Sequence, residues 1–375
     1  MIRLTVPSIE QDDLAAVAEV LRSGYLVQGP RVRRLEETVE QLVGCRHAIA
    51  VSNGTAALHL ALLALDVRPG DLVPVTAYSW IATANVIELC GAQPVFIDIE
   101  RNTFNMDPEA LAAALKPLAA NRDTQRRLKA VLPIHAFGQV ANMPELLRVA
   151  GQYSLPVIED AACALGATLD GKQAGAWGTL GTFSFHPRKA VTTGEGGMVT
   201  TGDDQLAWKI RSLRNHGLDP NALSPDFVMP GFNYRLTEFQ GALGVTQMAK
   251  LARIVEARRC LAGNYTRHLT GTPLQPPFVP AGSNPVYQSY VCLLPTEAAP
   301  HRQQIIHRLK ERGVETTIGT WHMPLSSYFR ARYGYSAGNF PVTDNIFARA
   351  LTLPLHEALS AAEQLQVVEE LLSCL

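Results

Sequence analysis

The sequence predicts an α/β protein in two domains: a large one whose mostly parallel sheet is flanked by helices, and a small α+β domain at the C-terminal end. Three observations carry that expectation. Between residues 46 and 201, short apolar runs rich in β-branched residues alternate with segments of helical spacing. The runs lack a clean apolar–polar alternation, as strands buried on both faces of a sheet do. The chain is also 375 residues long, beyond the size at which a single hydrophobic core stays efficient.

In chain order the strand runs are HAIAVS, DLVPVTA, PVFIDI, AVLPIHAFG, PVIEDAA, GTFSFH and GGMVTT. Between them, TAALHLALLAL (55–65), WIATANVIELCG (80–91) and PEALAAALKPLAA (108–120) have the spacing of helices. Ligands of such sheets bind beyond the carboxyl ends of the strands. After residue 201 the texture changes. NHGLDPNALSPDFVMPGFNYR reads as a long loop, and loops of that length in compact proteins are usually functional. A helix then begins at LTEFQGALG and runs to TRHL, long enough to lead from one domain into the next. The boundary is placed at 250, with residues 1–250, N-terminal segment included, in the large domain and 251–375 in the small one. The latter reads VYQSYVCLL (strand), HRQQIIHRLKERG (helix), VETTIG (strand) and AAEQLQVVEELLSCL (helix).

Hydrophobic residues make up 47% of the chain and charged ones 18%, the balance of a globular protein with a large interior. With 33 basic against 34 acidic residues there is no electrostatic footprint for nucleic acid or an anionic membrane, which points to a small-molecule partner. The six cysteines (45, 90, 163, 260, 292 and 374) form no CxxC pair and read as reduced thiols. The start, MIRLTVPSIEQDD, has no basic stretch followed by an apolar one, and no run of 18 apolar residues occurs, so a cytoplasmic protein is expected. The ten histidines show no pair at metal-ligand spacing, and no metal is expected.

Four segments could carry chemistry. In SNGTAALHL (52–60), Asn53 and Gly54 turn the chain out of a strand and Thr55 opens a helix, whose free N–H groups and dipole make a phosphate site. An ordinary capped helix start reads the same. In PVIEDAACALG (156–166), Asp160 ends an apolar strand, where a carboxylate needs a positive partner: a ligand cation or a local arginine. In SFHPRKAVTTGEGG (184–197), Pro187 ends a strand and Lys189 follows, on the same sheet edge as Asp160 if the strands are parallel. Such a lysine is either a solvated loop charge or an amine nucleophile. In VTAYSWIATA (75–84), Trp80 is placed either to pack in the core or to stack on a flat ligand. Together, a phosphate cradle, an anion, a flat aromatic and an amine are the contact set of pyridoxal phosphate.

Beyond this, QGP (28–30), SNGTAALHLAL, EDAACALGA, SFHPRKAVTTGEGG, RNHG (214–217) and GFNYRLTEFQGALG (231–244) resemble, in order and spacing, the motifs of the DegT and StrS type sugar nucleotide aminotransferases. The resemblance runs from about residue 5 to the C-terminus and implies a fold type I aminotransferase dependent on pyridoxal 5'-phosphate. It implies that Lys189 bonds to the cofactor aldehyde and that Asp160 holds the pyridinium. Gly54, Thr55 and Ser184 would bind the phosphate, and Trp80 would stack on the ring. Asn233 resembles the asparagine that reaches the phosphate of the neighbouring subunit, which implies a homodimer with shared active sites. Cys163 departs from the pattern, since many members have Gln or His there beside the cofactor hydroxyl. In TWHMPLSSYF, Ser326 stands where many relatives carry a histidine, with His322 shortly before it. Gly29, His322, Tyr287 and Tyr290 are the candidate substrate-lining residues.

The activity so implied is transfer of an amino group from an amino acid, by family analogy L-glutamate, to a nucleotide-linked keto sugar, in cell-surface polysaccharide or glycoside biosynthesis. Lys189 would shuttle the proton between the substrate α-carbon and the cofactor. Two rivals share the cofactor: a sugar dehydratase, whose relatives carry histidine at the lysine position, and a non-catalytic regulator that keeps the pocket. Dehydrogenases and NTPases fare worse. No strand runs into GxGxxG, and in GATLDGKQ (166–173) Gln173 replaces the hydroxyl that would hold magnesium, so a surface hairpin explains it better.

Overall fold

The computed structural model describes residues 1–375. Its strands, in chain order, are β1 (His47–Val51), β2 (Leu72–Thr76), β3 (Tyr78–Ser79), β4 (Gln93–Ile97), β5 (Ile158–Asp160), β6 (Thr168–Leu169), β7 (Lys172–Gln173), β8 (Leu180–Ser184), β9 (Gly197–Thr201), β10 (Ser283–Asn284), β11 (Tyr290–Leu293), β12 (Thr317–Ile318), β13 (Trp321–His322) and β14 (Ala350–Leu353). The central sheet is ordered β1-β9-β8-β5. Parallel bridges Val131↔Val157 and Ile134↔Asp160 add the extended segment 131–134 beside β5, Val75↔Leu132 adds β2, and β2 pairs in parallel with β4. All seven strand runs of the sequence therefore lie in one layer, and only β9 runs against its neighbours. A parallel return needs a crossover of a dozen or more residues, usually helical. Residues 185–196 instead fold back as a tight loop. The absence of alternation is explained by burial, since every residue of β2 and β9 is covered on both faces.

The helices preceding and following these strands are α1 (Gln11–Ser23), α2 (Pro30–Val43), α3 (Gly54–Ala64), α4 (Ala82–Leu89), α5 (Pro108–Ala120), α6 (Arg122–Arg127), α7 (Met143–Gly151), α8 (Asp204–Arg214) and α9 (Glu238–Leu269). α3 is apolar nearly all round and correspondingly buried nearly all round, with eight of its residues covered. GATLDGKQ is a hairpin: β6 and β7 pair antiparallel, and Asp170 and Gly171 both take positive φ, 49° and 78°, as a two-residue type I′ turn requires.

The small domain is the sheet β11-β14-β12 with α10 (Arg302–Glu311), α12 (Pro341–Arg349) and α13 (Ala361–Leu372), while α11 (Ser327–Tyr333) packs its Phe329 against Phe96 in the large-domain core. Two expectations are corrected here. The N-terminal segment does not sit wholly with the large domain. Ile2 N–H donates to the Gly313 carbonyl at 2.6 Å, Leu355 N–H donates to Leu4 at 3.1 Å, and Ile2 joins the small-domain core with Tyr265, Leu309, Leu351 and Leu371. A boundary at 250 also falls inside α9, which is unbroken for 32 residues. That helix belongs to both bodies because Lys250, midway along it, is held by Asp12 and Asp13 of α1 at 2.7 and 2.6 Å.

Candidate active site

The carboxyl ends of β1, β2, β5 and β8 converge on one corner. At β1, Asn53 caps α3 by accepting from Ala56 N–H at 2.8 Å, which leaves the N–H groups of Gly54 and Thr55 free at the positive end of the helix. Ser184, the last residue of β8, lies against them. A Cβ on residue 54 would come within 2.9 Å of the Ser184 Cβ, so only glycine allows hydroxyl and helix start to meet so closely.

At β5 a single dipeptide divides between two faces, because successive strand residues point to opposite sides. Glu159 points into the body of the protein. Its fully buried carboxylate accepts from Gly175 N–H at 2.8 Å, from Trp177 and Gly178 N–H at 2.7 Å each, and from His135 Nε2 at 2.8 Å. His135 Nδ1 accepts from Ala141 N–H at 3.1 Å, so the proton lies on Nε2. Asp160 points to the site. Its Oδ2 accepts from Thr83 Oγ1 at 2.7 Å and its Oδ1 from Ala162 N–H at 3.2 Å. Thr83 is a partner of Asp160 that the sequence reading missed. The signal was present, since Thr83 stands three residues after Trp80 on the first turn of α4 and so over the same sheet edge.

Past β8, Lys189 folds back over the turn after Asp160, and its Nζ lies 3.1 Å from Cys163 Sγ. The cysteine that replaces the usual Gln or His is thus the immediate neighbour of the lysine amine. Trp80 is 61% exposed at the rim. These groups fit pyridoxal phosphate: two free helix N–H donors with the Thr55 and Ser184 hydroxyls for its phosphate, a buried carboxylate for its ring nitrogen and an amine for its aldehyde. His186, in the same loop, is held below the ordinary histidine value, chiefly by burial.

Other motif residues hold the frame. Arg214 is buried and donates to Glu36 and to the Ala50 carbonyl at 2.7 and 2.6 Å, fastening α2 to β1. RNHG and GFNYR form one antiparallel turn through Asn215↔Asn233, and Gly217, at φ 80°, leaves no room for a Cβ against the Met229 carbonyl. Asn233 is exposed on that turn. Gly29 is the N-cap of α2, where a Cβ would come within 3.2 Å of the Glu238 carboxylate that accepts from Arg31 N–H at that helix end.

Two substrate-lining expectations are corrected. His322 is buried, bonded through Nε2 to Asp344 at 2.8 Å and packed against the rings of Phe340 and Phe347, because its place in β13 turns it inward. Tyr290 is fully buried in the small-domain core, its ring 5.0 Å from that of Tyr265 and its hydroxyl 3.0 Å from Thr266. Tyr287 lines a small aromatic cleft with Phe104, Phe137 and Phe278.

The family model described as the DegT/DnrJ/EryC1/StrS aminotransferase family matches residues 7–372. Spr1654 from Streptococcus pneumoniae in its PLP form superimposes with a TM-score of 0.92 at 26% identity, over 100% of this chain and 98% of the other. The aminotransferase TlmJ from Streptoalloteichus hindustanus does so with a TM-score of 0.91 at 30% identity, over 100% and 98%. PseC from Helicobacter pylori, an aminotransferase involved in the biosynthesis of pseudoaminic acid, gives 0.91 at 26% identity, again over 100% and 98%.

Proposed function

Because the chain belongs to the DegT/DnrJ/EryC1/StrS aminotransferase family, we propose that it moves an amino group from L-glutamate onto a keto sugar carried by a nucleotide. Its cofactor is pyridoxal 5'-phosphate, which when bound supplies an electron sink for a carbanion at the amino-bearing carbon. The observation that carries the proposal is the convergence of Lys189 Nζ, the Asp160 carboxylate and the free N-terminus of α3 at one sheet edge.

Each residue then has a task. Gly54 and Thr55 N–H groups, with the Ser184 hydroxyl, bind the phosphate. Asp160 would keep a proton on the ring nitrogen, and Thr83 holds that carboxylate in place through its hydroxyl. Lys189 Nζ is the amine that would hold the cofactor's aldehyde carbon and, when free, would take the proton from the donor α-carbon and pass it on as a general acid. The second half of the reaction repeats these steps in reverse on the keto sugar, so kinetics of the ping-pong type are expected.

Exposed apolar side chains on α1 and the following loop, Leu14, Leu21, Tyr25 and Val27, together with Phe227, support a homodimer in which Asn233 reaches the partner's site. Six unpaired thiols support a reducing compartment, the cytoplasm. The sugar product suits cell-surface polysaccharide or glycoside assembly. Incubation with L-glutamate and a panel of keto sugar nucleotides tests the reading. Amino sugar and 2-oxoglutarate in equal amounts are expected, and no transfer to any member of the panel would overturn it.

A further inference from the structure

The ribbon formed by β3 and β13 carries a residue that the site description does not use. Its register pairs Trp321 with Ser79 and His322 with Tyr78. Directly opposed residues share a face, and the next pair along lies on the other face. The His322–Tyr78 face is internal: both residues are buried, with His322 against Asp344 and the Tyr78 hydroxyl accepting from Thr320 N–H at 3.2 Å. The opposite face belongs to Ser79, whose hydroxyl lies 3.5 Å from Thr83 Oγ1, and Thr83 in turn donates to Asp160. Trp321 therefore projects on the side of the Asp160 carboxylate, one strand further out than Trp80. It is 49% exposed, its indole N–H donates to no group of the chain, and no aromatic ring stacks on it.

We propose that Trp321 is the platform on which the acceptor's sugar ring rests during the second half-reaction, a refinement that depends on the amino-sugar reading above. The chemistry of the residue selects the ligand. An indole has an apolar face with a negative quadrupole and a single N–H donor at its edge. A pyranose ring has a face of polarised C–H groups and an edge of hydroxyls, and so matches both features. The donor, a small dicarboxylate, offers no such face. Trp80 is the ring better placed for the cofactor, since its carbonyl lies 3.3 Å from Thr83 Oγ1, whose proton goes to Asp160. The sequence reading chose His322 from this dipeptide; the face assignment transfers the role to its neighbour.

The test uses holoenzyme and separates the two half-reactions. With L-glutamate alone, the spectral conversion of the bound cofactor should proceed in Trp321→Ala at the wild-type rate and with the wild-type dependence on glutamate, which also shows that the variant is folded and loaded. With the keto sugar nucleotide that the wild-type enzyme aminates, KM should rise about tenfold or more, about 1.4 kcal/mol per decade. Trp321→Phe, which keeps a flat face, should recover most of that loss. Acceptor binding to cofactor-free protein should quench tryptophan fluorescence less in Trp321→Phe than in wild type. An unchanged KM for the acceptor in Trp321→Ala, or an equal loss in both half-reactions, would overturn the assignment while leaving the aminotransferase reading intact. Failure of the wild-type enzyme to aminate any keto sugar nucleotide would overturn both.

Discussion

Replacing Thr83 with valine tests whether Asp160 is a positioned ligand for the cofactor ring. The two side chains have nearly the same shape, so the substitution removes one hydroxyl and little volume. That hydroxyl donates at 2.7 Å to Oδ2 of a carboxylate that is 5% exposed, and the one other donor to Asp160 is Ala162 N–H at 3.2 Å on Oδ1. Without it, Oδ2 retains no donor from the protein, and the carboxylate is free to rotate away from the ring. A hydrogen bond to a charged group contributes roughly 1.5–3 kcal/mol net. If the whole of it serves to orient Asp160, cofactor affinity should fall by about 10- to 150-fold, taking about 1.4 kcal/mol per decade. The assay is a fluorescence titration of cofactor-free protein with pyridoxal 5'-phosphate, followed by kcat with glutamate and acceptor. Thr83→Ser, which keeps the hydroxyl, should stay within about threefold of wild type. Wild-type affinity and kcat in a folded Thr83→Val protein would refute the reasoning.

Four further outcomes follow from the same geometry. Lys189→Ala should abolish amino transfer and leave nothing for borohydride to attach to the chain, whereas wild-type protein treated alike should yield a labelled peptide containing residue 189; turnover by the variant would remove Lys189 from its role. Asp160→Asn should retain the fold yet lose kcat by about 100-fold or more, since a neutral amide cannot keep the ring nitrogen protonated, and an unchanged kcat would mean that another group does so. Glu159→Gln should destabilise the protein by about 3 kcal/mol or more, because its NH2 would face N–H donors that the carboxylate now accepts; an unshifted urea midpoint would show that those contacts contribute little. The stability profile should also slope between pH 7 and 5. Burial holds His59, His186, His322 and His356 below their ordinary value of 6.5, so the unfolded chain takes up protons first and stability falls as pH drops through that value. A flat urea midpoint over that window would contradict it.

The sheet was legible because burial on both faces leaves its mark directly on composition: all seven runs without alternation are strands or bridged segments of the one sheet, and PEALAAALKPLAA is helical over residues 108–120. The direction of β9 was not, since nothing in GGMVTT distinguishes a strand reached by a tight loop from one reached by a crossover. Nor was the place of the first four residues. Ile2 lies in a short apolar start, MIRLTV, too brief to show a pattern, and its partners Gly313 and Val314 lie far along the chain, so the pairing is set by tertiary closure alone. The domain boundary failed for a related reason, because a helix of 32 residues contacts both bodies and carries no break in its sequence where one ends.

The site was legible to the level of segments, and less so at the level of faces. Lys189 stands out as an amine in the loop just past a strand end, and Asp160 as one of two acids that close an apolar strand. Where two polar or aromatic residues are adjacent in a strand, chemistry cannot choose, because the pleat sends one of them inward. Glu159 and Asp160 are such a pair, and so are Trp321 and His322. In the first, the acid with four buried donors is structural and the acid held by one threonine faces the cofactor corner. In the second, the histidine is the packed member and the tryptophan the free one. The deciding fact in both is the pairing register, which fixes the face of every residue at once and which a one-residue slip would invert. It follows that an insertion of one residue between Gly319 and Trp321 should harm acceptor use more than Trp321→Ala does, since it would turn the indole into the core and expose His322 in its place. Equal acceptor KM values for the two changes would mean that the ribbon's register does not set the acceptor site.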